Sequence, residues 1–181
     1  YSFTRLAAEG TVELQGQERT VEGLAWLDRE WGTGALGGDQ AGWDWVSLQL
    51  DDGRDLMFYR LRRTDGSTDP HSTGILVSAE GDTRRLTPAD LSLEPLGHWT
   101  AAPGERYPVV WRLEGPALDR ALRVEAVLDD QVMPVSVRYW EGAVDVLDAA
   151  TGEPLGRGYL EMTGYAGDGG TVPENSAAQA P

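Results

Sequence analysis

From residue 7 to residue 163 the chain alternates short apolar and polar runs with turns built on glycine, aspartate and proline, and no run is long and periodic enough for a helix. Residues 7–14 and 19–30 flank Gln15-Gly16-Gln17, a connection of hairpin length. Residues 43–50 and 56–63 flank Asp51-Asp52-Gly53-Arg54-Asp55, and 74–79 lead through Glu80-Gly81-Asp82 to 83–86. Further strand-like runs fall at 91–94, 109–113 and 122–128, and a last pair, 135–147 and 155–163, flanks a turn at 148–153. This amounts to about ten strands at the spacing of antiparallel sandwiches and barrels. Thr87-Pro88-Ala89-Asp90-Leu91 reads as a short capped turn. The expected fold is all-β, one antiparallel barrel over residues 1–165. Residues 166–181, rich in Gly, Ala and Pro with a single Val, have little to bury and are expected to form a flexible, disordered tail.

Composition narrows the chemistry. The 181 residues suffice for one domain with a real core, and no stretch approaches the ~18 consecutive apolar residues of a membrane helix. The formal net charge is −15, without a basic stripe, which argues against a nucleic-acid partner. The sequence contains no cysteine and no lysine, so disulfides, thiolate ligands, a cysteine nucleophile and Schiff-base chemistry are excluded together. His71 and His98 share no metal-ligand spacing, and Asp51-Asp52-Gly53 is a solvated hairpin turn rather than a calcium loop, so neither a metal nor another cofactor is expected. Beginning at Tyr1 in mid-strand, the chain reads as a trimmed piece.

The unusual window runs from Leu24 to Leu61, where charges stand among aromatics. Asp28, Arg29, Glu30 and Asp44 fall by alternation on strands rather than in turns. An ionised group buried alone costs several kcal/mol, so these groups are paired, exposed or lining a cavity. Along 43–50 one face carries Trp43, Trp45, Ser47 and Gln49, and the other Asp44, Val46, Leu48 and Leu50. Along 56–62 one face carries Leu56, Phe58, Arg60 and Arg62, and the other Met57, Tyr59 and Leu61. Asp28 and Glu30 share one side of their strand with Trp26, whose apolar wall would favour a protonated carboxyl. The structural alternative pairs Asp28 and Glu30 with Arg60 or Arg62 as a registry device. Both readings are open at this level.

Three blocks carry a resemblance: Gly23-Leu24-Ala25-Trp26-Leu27-Asp28-Arg29-Glu30-Trp31-Gly32, residues 42–57 beginning Gly42-Trp43-Asp44-Trp45, and Gly158-Tyr159-Leu160-Glu161-Met162-Thr163-Gly164-Tyr165. Together they resemble the lipocalin-like family of AttH-type secreted hydrolases and carotenoid 1,2-hydratases (hydroxyneurosporene synthase-like), over the C-terminal half of that family's usual length. The resemblance implies a lipocalin-like (calycin) barrel, an N-terminal companion barrel, and an apolar polyene or isoprenoid-like ligand. Asp28, Glu30 and Trp31 match the family pattern, whereas Arg29 stands where the family has histidine, and the aspartate of its Tyr-x-Asp motif is absent near Phe58-Tyr59-Arg60. The resulting expectation is a domain that encloses a hydrophobic small molecule and assists its cyclisation, isomerisation or hydration. Glu30 or Asp28 would donate the proton, and Trp31, Trp43, Trp45, Gln49 and Tyr59 would line the site. The alternative is a non-catalytic carrier or structural half-barrel that docks on a partner domain or on a second copy.

Overall fold

A computed structural model describes residues 1–31, 36–102, 104–135 and 138–165; the expected flexible tail, 166–181, lies outside the described residues. The chain divides into two compact units, Tyr1–Gly32 and Thr33–Pro181.

The first unit is an antiparallel hairpin of β1 (Ser2–Leu14) and β2 (Gln17–Asp28). Its loop is Gln15-Gly16, with φ of 54° and 74°, the left-handed pair of a type I′ turn whose twist suits the flanking strands. Opposed residues share a face, and the pairs Phe3↔Leu27, Leu6↔Ala25, Gly10↔Val21 and Val12↔Arg19 therefore gather an apolar face. The pairs Glu9↔Glu22 and Glu13↔Glu18 make the other face acidic. Phe3, Leu6, Val12, Leu14, Val21 and Leu27 are all exposed. A two-stranded ribbon is marginally stable in water by itself, and this one presents its apolar face uncovered.

The second unit is one antiparallel sheet. Its strands are β3 (Gln40–Leu50), β4 (Asp55–Arg63), β5 (Thr73–Val77), β6 (Thr83–Leu86), β7 (Ser92–Thr100), β8 (Arg106–Glu114), β9 (Leu122–Ala126), β10 (Val132–Pro134), β11 (Arg138–Asp148) and β12 (Pro154–Thr163). Neighbours run β6-β5-β4-β3-β12-β11-β9-β8-β7, with β10 against β11. The sheet curls into a half-barrel, and among the described residues no ladder joins the edge strands β6 and β7. The all-β, antiparallel expectation holds. Strand β7 is longer than the expected run at 91–94 because Pro95 sits on an edge, where no ladder donor is missed, and bulges around Gly97 absorb the irregularity. The Thr87–Asp90 segment is a turn, as expected, with the Asp90 carboxylate accepting from the Thr87 amide at 3.0 Å and hydroxyl at 2.8 Å.

Alternate residues fill the inner face of the curl. Val46, Leu48, Leu56, Phe58, Leu113, Val124, Val146 and Leu160 are all buried, and the largest fully buried side chains are Trp111 and Trp140. Each of these contributes about 2 kcal/mol by leaving water. The face of β3 carrying Asp44, Val46, Leu48 and Leu50 is thus the core face, and the Trp43-Trp45-Gln49 face is the outer one.

Candidate functional site

A polar layer closes one end of this apolar core. It begins on β3 and β4, where antiparallel register sets Asp44 opposite Arg60 and Gly42 opposite Arg62. Asp44 is fully buried. Its Oδ2 accepts from Arg60 Nε at 2.9 Å and lies 2.7 Å from Arg60 Nη2 and 3.2 Å from Arg62 Nε. Its Oδ1 accepts from the Tyr165 hydroxyl at 2.8 Å. Arg60 also donates to the Leu93 carbonyl at 3.0 Å and lies over Trp111, 5.2 Å from the ring centre. Arg62 donates to the Thr163 carbonyl and stacks on Tyr165, 3.9 Å from the ring centre. Burial first, and then the Asp44 charge, push the Tyr165 phenol well above its usual range.

Gly42 makes this packing possible. Its φ is 155°, and a Cβ there would collide with the Thr163 carbonyl and sit 2.8 Å from Arg62 Nη2.

The layer continues through aromatic rings to the far strands. Tyr165 packs on Tyr107, ring centres 5.6 Å apart, and Tyr107 stacks on Trp99 at 6.5 Å. Beyond Tyr107 lie Glu105 and Arg138, joined by a 2.7 Å bond from Arg138 Nη1 to Glu105 Oε1.

The structure places the residues singled out in the sequence as follows. Asp28, Glu30 and Trp31 belong to the hairpin unit and are exposed. Trp26 does not wall Asp28 with an apolar surface. Its indole Nε1 donates to Asp28 Oδ2 at 2.7 Å, and the Ser2 hydroxyl donates to Oδ1. Trp31 rests edge-on against the Tyr1 ring at 5.8 Å. The arginines weighed as partners for Asp28 and Glu30, Arg60 and Arg62, take Asp44 instead, because register puts that carboxylate among them on the core face.

Trp43, Trp45, Gln49 and Tyr59 share the outer face of the sheet, half-buried, with Trp45 directly opposite Tyr59 and Gln49 four residues further along β3, opposite Asp55. Trp43 Nε1 donates to Glu161 Oε1 at 2.7 Å, and its ring meets Tyr139 at 6.1 Å. Tyr159 donates to Glu141 Oε2 at 3.3 Å. Burial first, with the nearby Glu141 and Glu161 charges, raises both the Tyr139 and Tyr159 phenols. The outer face thus offers aromatic area edged with carboxylates.

Sequence reasoning missed the Asp44 cluster as a unit and did not consider Glu105, Tyr107 or Arg138. A signal for the first existed: along β3 and β4 the core-facing series Asp44-Val46-Leu48-Leu50 and Leu56-Phe58-Arg60-Arg62 both turn charged toward the same end. For the second the only local cue was the two-residue spacing of Glu105 and Tyr107. Among the described residues, no group of acidic residues and histidines is arranged to hold a metal ion.

A curled antiparallel half-barrel, apolar inside and carrying a buried ion-pair layer, is consistent with a lipocalin-like domain. The chain belongs to the AttH-like family, whose model matches residues 1–165. It is similar to the crystal structure of a protein of Nitrosomonas europaea provisionally assigned as AttH, with 38% identity and a TM-score of 0.81, over 91% of this chain and 51% of that one. The chain therefore spans about half the length of that relative. No curated protein matches it.

Proposed function

We propose that this domain helps to enclose a hydrophobic, polyene- or isoprenoid-like small molecule, and that it does so beside a companion β-domain seated on the apolar face of the hairpin. The observation that carries this reading is that face: Phe3, Leu6, Val12, Leu14, Val21 and Leu27 stand exposed in one row on a ribbon too small to be stable alone. The relative of about twice the length supports a companion. The outer aromatic face of Trp43, Trp45 and Tyr59, with Gln49 as hydrogen-bonding group, supports an apolar ligand with an unsaturated or cationic centre. In the catalytic form of this reading Glu30 or Asp28 donates a proton during cyclisation, isomerisation or hydration, and Trp31 shields it.

The test is organic extraction of freshly purified protein followed by mass spectrometry, with Trp45→Ala in parallel. A stoichiometric lipophile in the parent, lost in the variant, is expected. An empty extract, with tryptophan fluorescence unmoved by added polyenes, overturns the ligand reading. It would leave the second one, a structural half-barrel, which the buried Asp44 network favours because such networks commonly fix register.

A further inference from the structure

The far end of the polar layer contains three buried polar atoms with no hydrogen-bond partner among the described residues: Glu105 Oε2, Tyr107 Oη and Arg138 Nε. They are neighbours. Glu105 immediately precedes β8 and Tyr107 is the second residue of that strand, the Glu105 and Arg138 charges both act on the Tyr107 phenol, and Arg138 is tied to Glu105 through its Nη1 at 2.7 Å. Tyr107 is 1% exposed and the Glu105 side chain 10%. An isolated orphan could be a tolerated cost, on the order of 1–3 kcal/mol. Three close together, on a buried tyrosine, a nearly buried glutamate and an arginine whose side chain is 36% exposed, call for a common partner at the edge of the core.

Their chemistry says what that partner is. Arg138 Nε–H can only donate, Glu105 Oε2 can only accept when ionised, and Tyr107 can do either. The Glu105–Arg138 pair is neutral overall, so the site has no net attraction for an ion. A hydroxyl group answers all three: its oxygen accepts from Arg138 and Tyr107, and its hydrogen goes to Glu105. A carboxylate would be repelled by Glu105 and an ammonium by Arg138. Burial, with the Glu105 charge adding and the Arg138 charge opposing, raises the Tyr107 phenol, consistent with a protonated donor set near both groups.

We propose that Glu105, Tyr107 and Arg138 form a receptor for a single hydroxyl group, supplied either by a resident water or by the alcohol of a bound lipophilic ligand. This inference stands independently of the companion-domain and proton-donor readings above, since it rests only on residues of the sheet unit.

The sign of one stability change tests it. If the Tyr107 hydroxyl is truly unpartnered in a dry core, Tyr107→Phe removes an unsatisfied group and leaves the melting temperature unchanged or higher. If it holds a hydroxyl, the substitution strips a partner from a bonded network and lowers the melting temperature by a few degrees, which is the expected result. An unchanged or raised value overturns the proposal. A crystal structure grown without additives should show ordered density within hydrogen-bonding distance of all three atoms in the parent; bare packing there also overturns it. Thermal titration with 1-decanol separates the two sources. A rise in melting temperature in the parent that needs about tenfold more decanol in Tyr107→Phe assigns the hydroxyl to a ligand alcohol. With Tyr107→Phe destabilised and decanol without effect, the hydroxyl belongs to water.

Discussion

The Tyr165 hydroxyl donates a 2.8 Å hydrogen bond to Asp44, which stands 121 residues earlier in the chain and is wholly buried. With Arg60 and Arg62 this joins β3, β4 and the segment after β12 around one carboxylate, which makes the cluster sensitive to the loss of any member.

Asp44→Asn should be among the most damaging single changes in the core. It keeps the shape but leaves two guanidiniums, whose side chains are 15% and 13% exposed, without their counter-charge. Removing one partner of a buried pair costs about 3–5 kcal/mol. Urea unfolding should show a loss of that size, and the double variant Asp44→Asn/Arg60→Met should recover part of it. A loss below about 1 kcal/mol would place the pair in the class of surface bridges.

Tyr165→Phe removes only the bond to Asp44 and should cost about 1.5 kcal/mol at neutral pH. Its alkaline behaviour is a second readout. The folded phenol is raised far above the ordinary value near 10, whereas the unfolded one is not, so the folded state keeps a proton that the unfolded state releases. That stabilisation is complete below about pH 10 and fades as pH rises further. The parent's melting temperature should therefore fall more steeply than that of Tyr165→Phe between about pH 9.5 and 11.5. Parallel curves would contradict the assignment.

Asp69 is one of the carboxylates expected to shape the acid limb. It is buried, and accepts from the His71 amide at 2.8 Å, from Gln40 Nε2 at 3.2 Å and from Arg63 Nε at 3.1 Å. The His71 amide first, against the opposing effect of burial, and with Gln40, His71 and Arg63 side chains helping, holds its carboxyl far below the usual range. The stability this supplies is present above the unfolded value near 4 and is lost as pH falls below it. Asp69→Asn should flatten the acid limb of a stability-against-pH curve, and an unaltered limb would count against it.

Gly42→Ala should destabilise by about 2 kcal/mol or more, since the new methyl meets the Thr163 carbonyl and the Arg62 guanidinium in a backbone conformation that favours glycine. Gly10→Ala, where a Cβ would meet nothing within 4 Å, is the control and should be nearly neutral. Chemical denaturation of the two variants gives the comparison directly.

Much of the fold was legible in the residues because its causes are local. Period-two alternation placed Trp43, Trp45 and Gln49 on one face and Asp44, Val46, Leu48 and Leu50 on the other, and Gln15-Gly16 announced the first hairpin; the structure has both. The short β10 gave no comparable cue, because three residues are too few to display a period. The candidate site was half legible. Asp44, Arg60 and Arg62 each stood out as charges on strands, yet alternation says only which residues share a face and not which face turns inward or what lies across from it.

The chain's sequence by itself determined an all-β architecture, its turns and the division of each strand into two faces, since backbone sterics and hydrophobic spacing act over a few residues. The tertiary structure alone decided that the Asp44 face is the interior, that Arg60 and Arg62 serve that carboxylate, and that Arg138 pairs with Glu105 near Tyr107. Those outcomes depend on ladder register and sheet curl, which bring together groups such as Glu105 and Arg138, 33 residues apart, and Asp44 and Tyr165, 121 apart. No local pattern encodes such pairings, because their energy exists only once the strands have aligned and water has been excluded from between them.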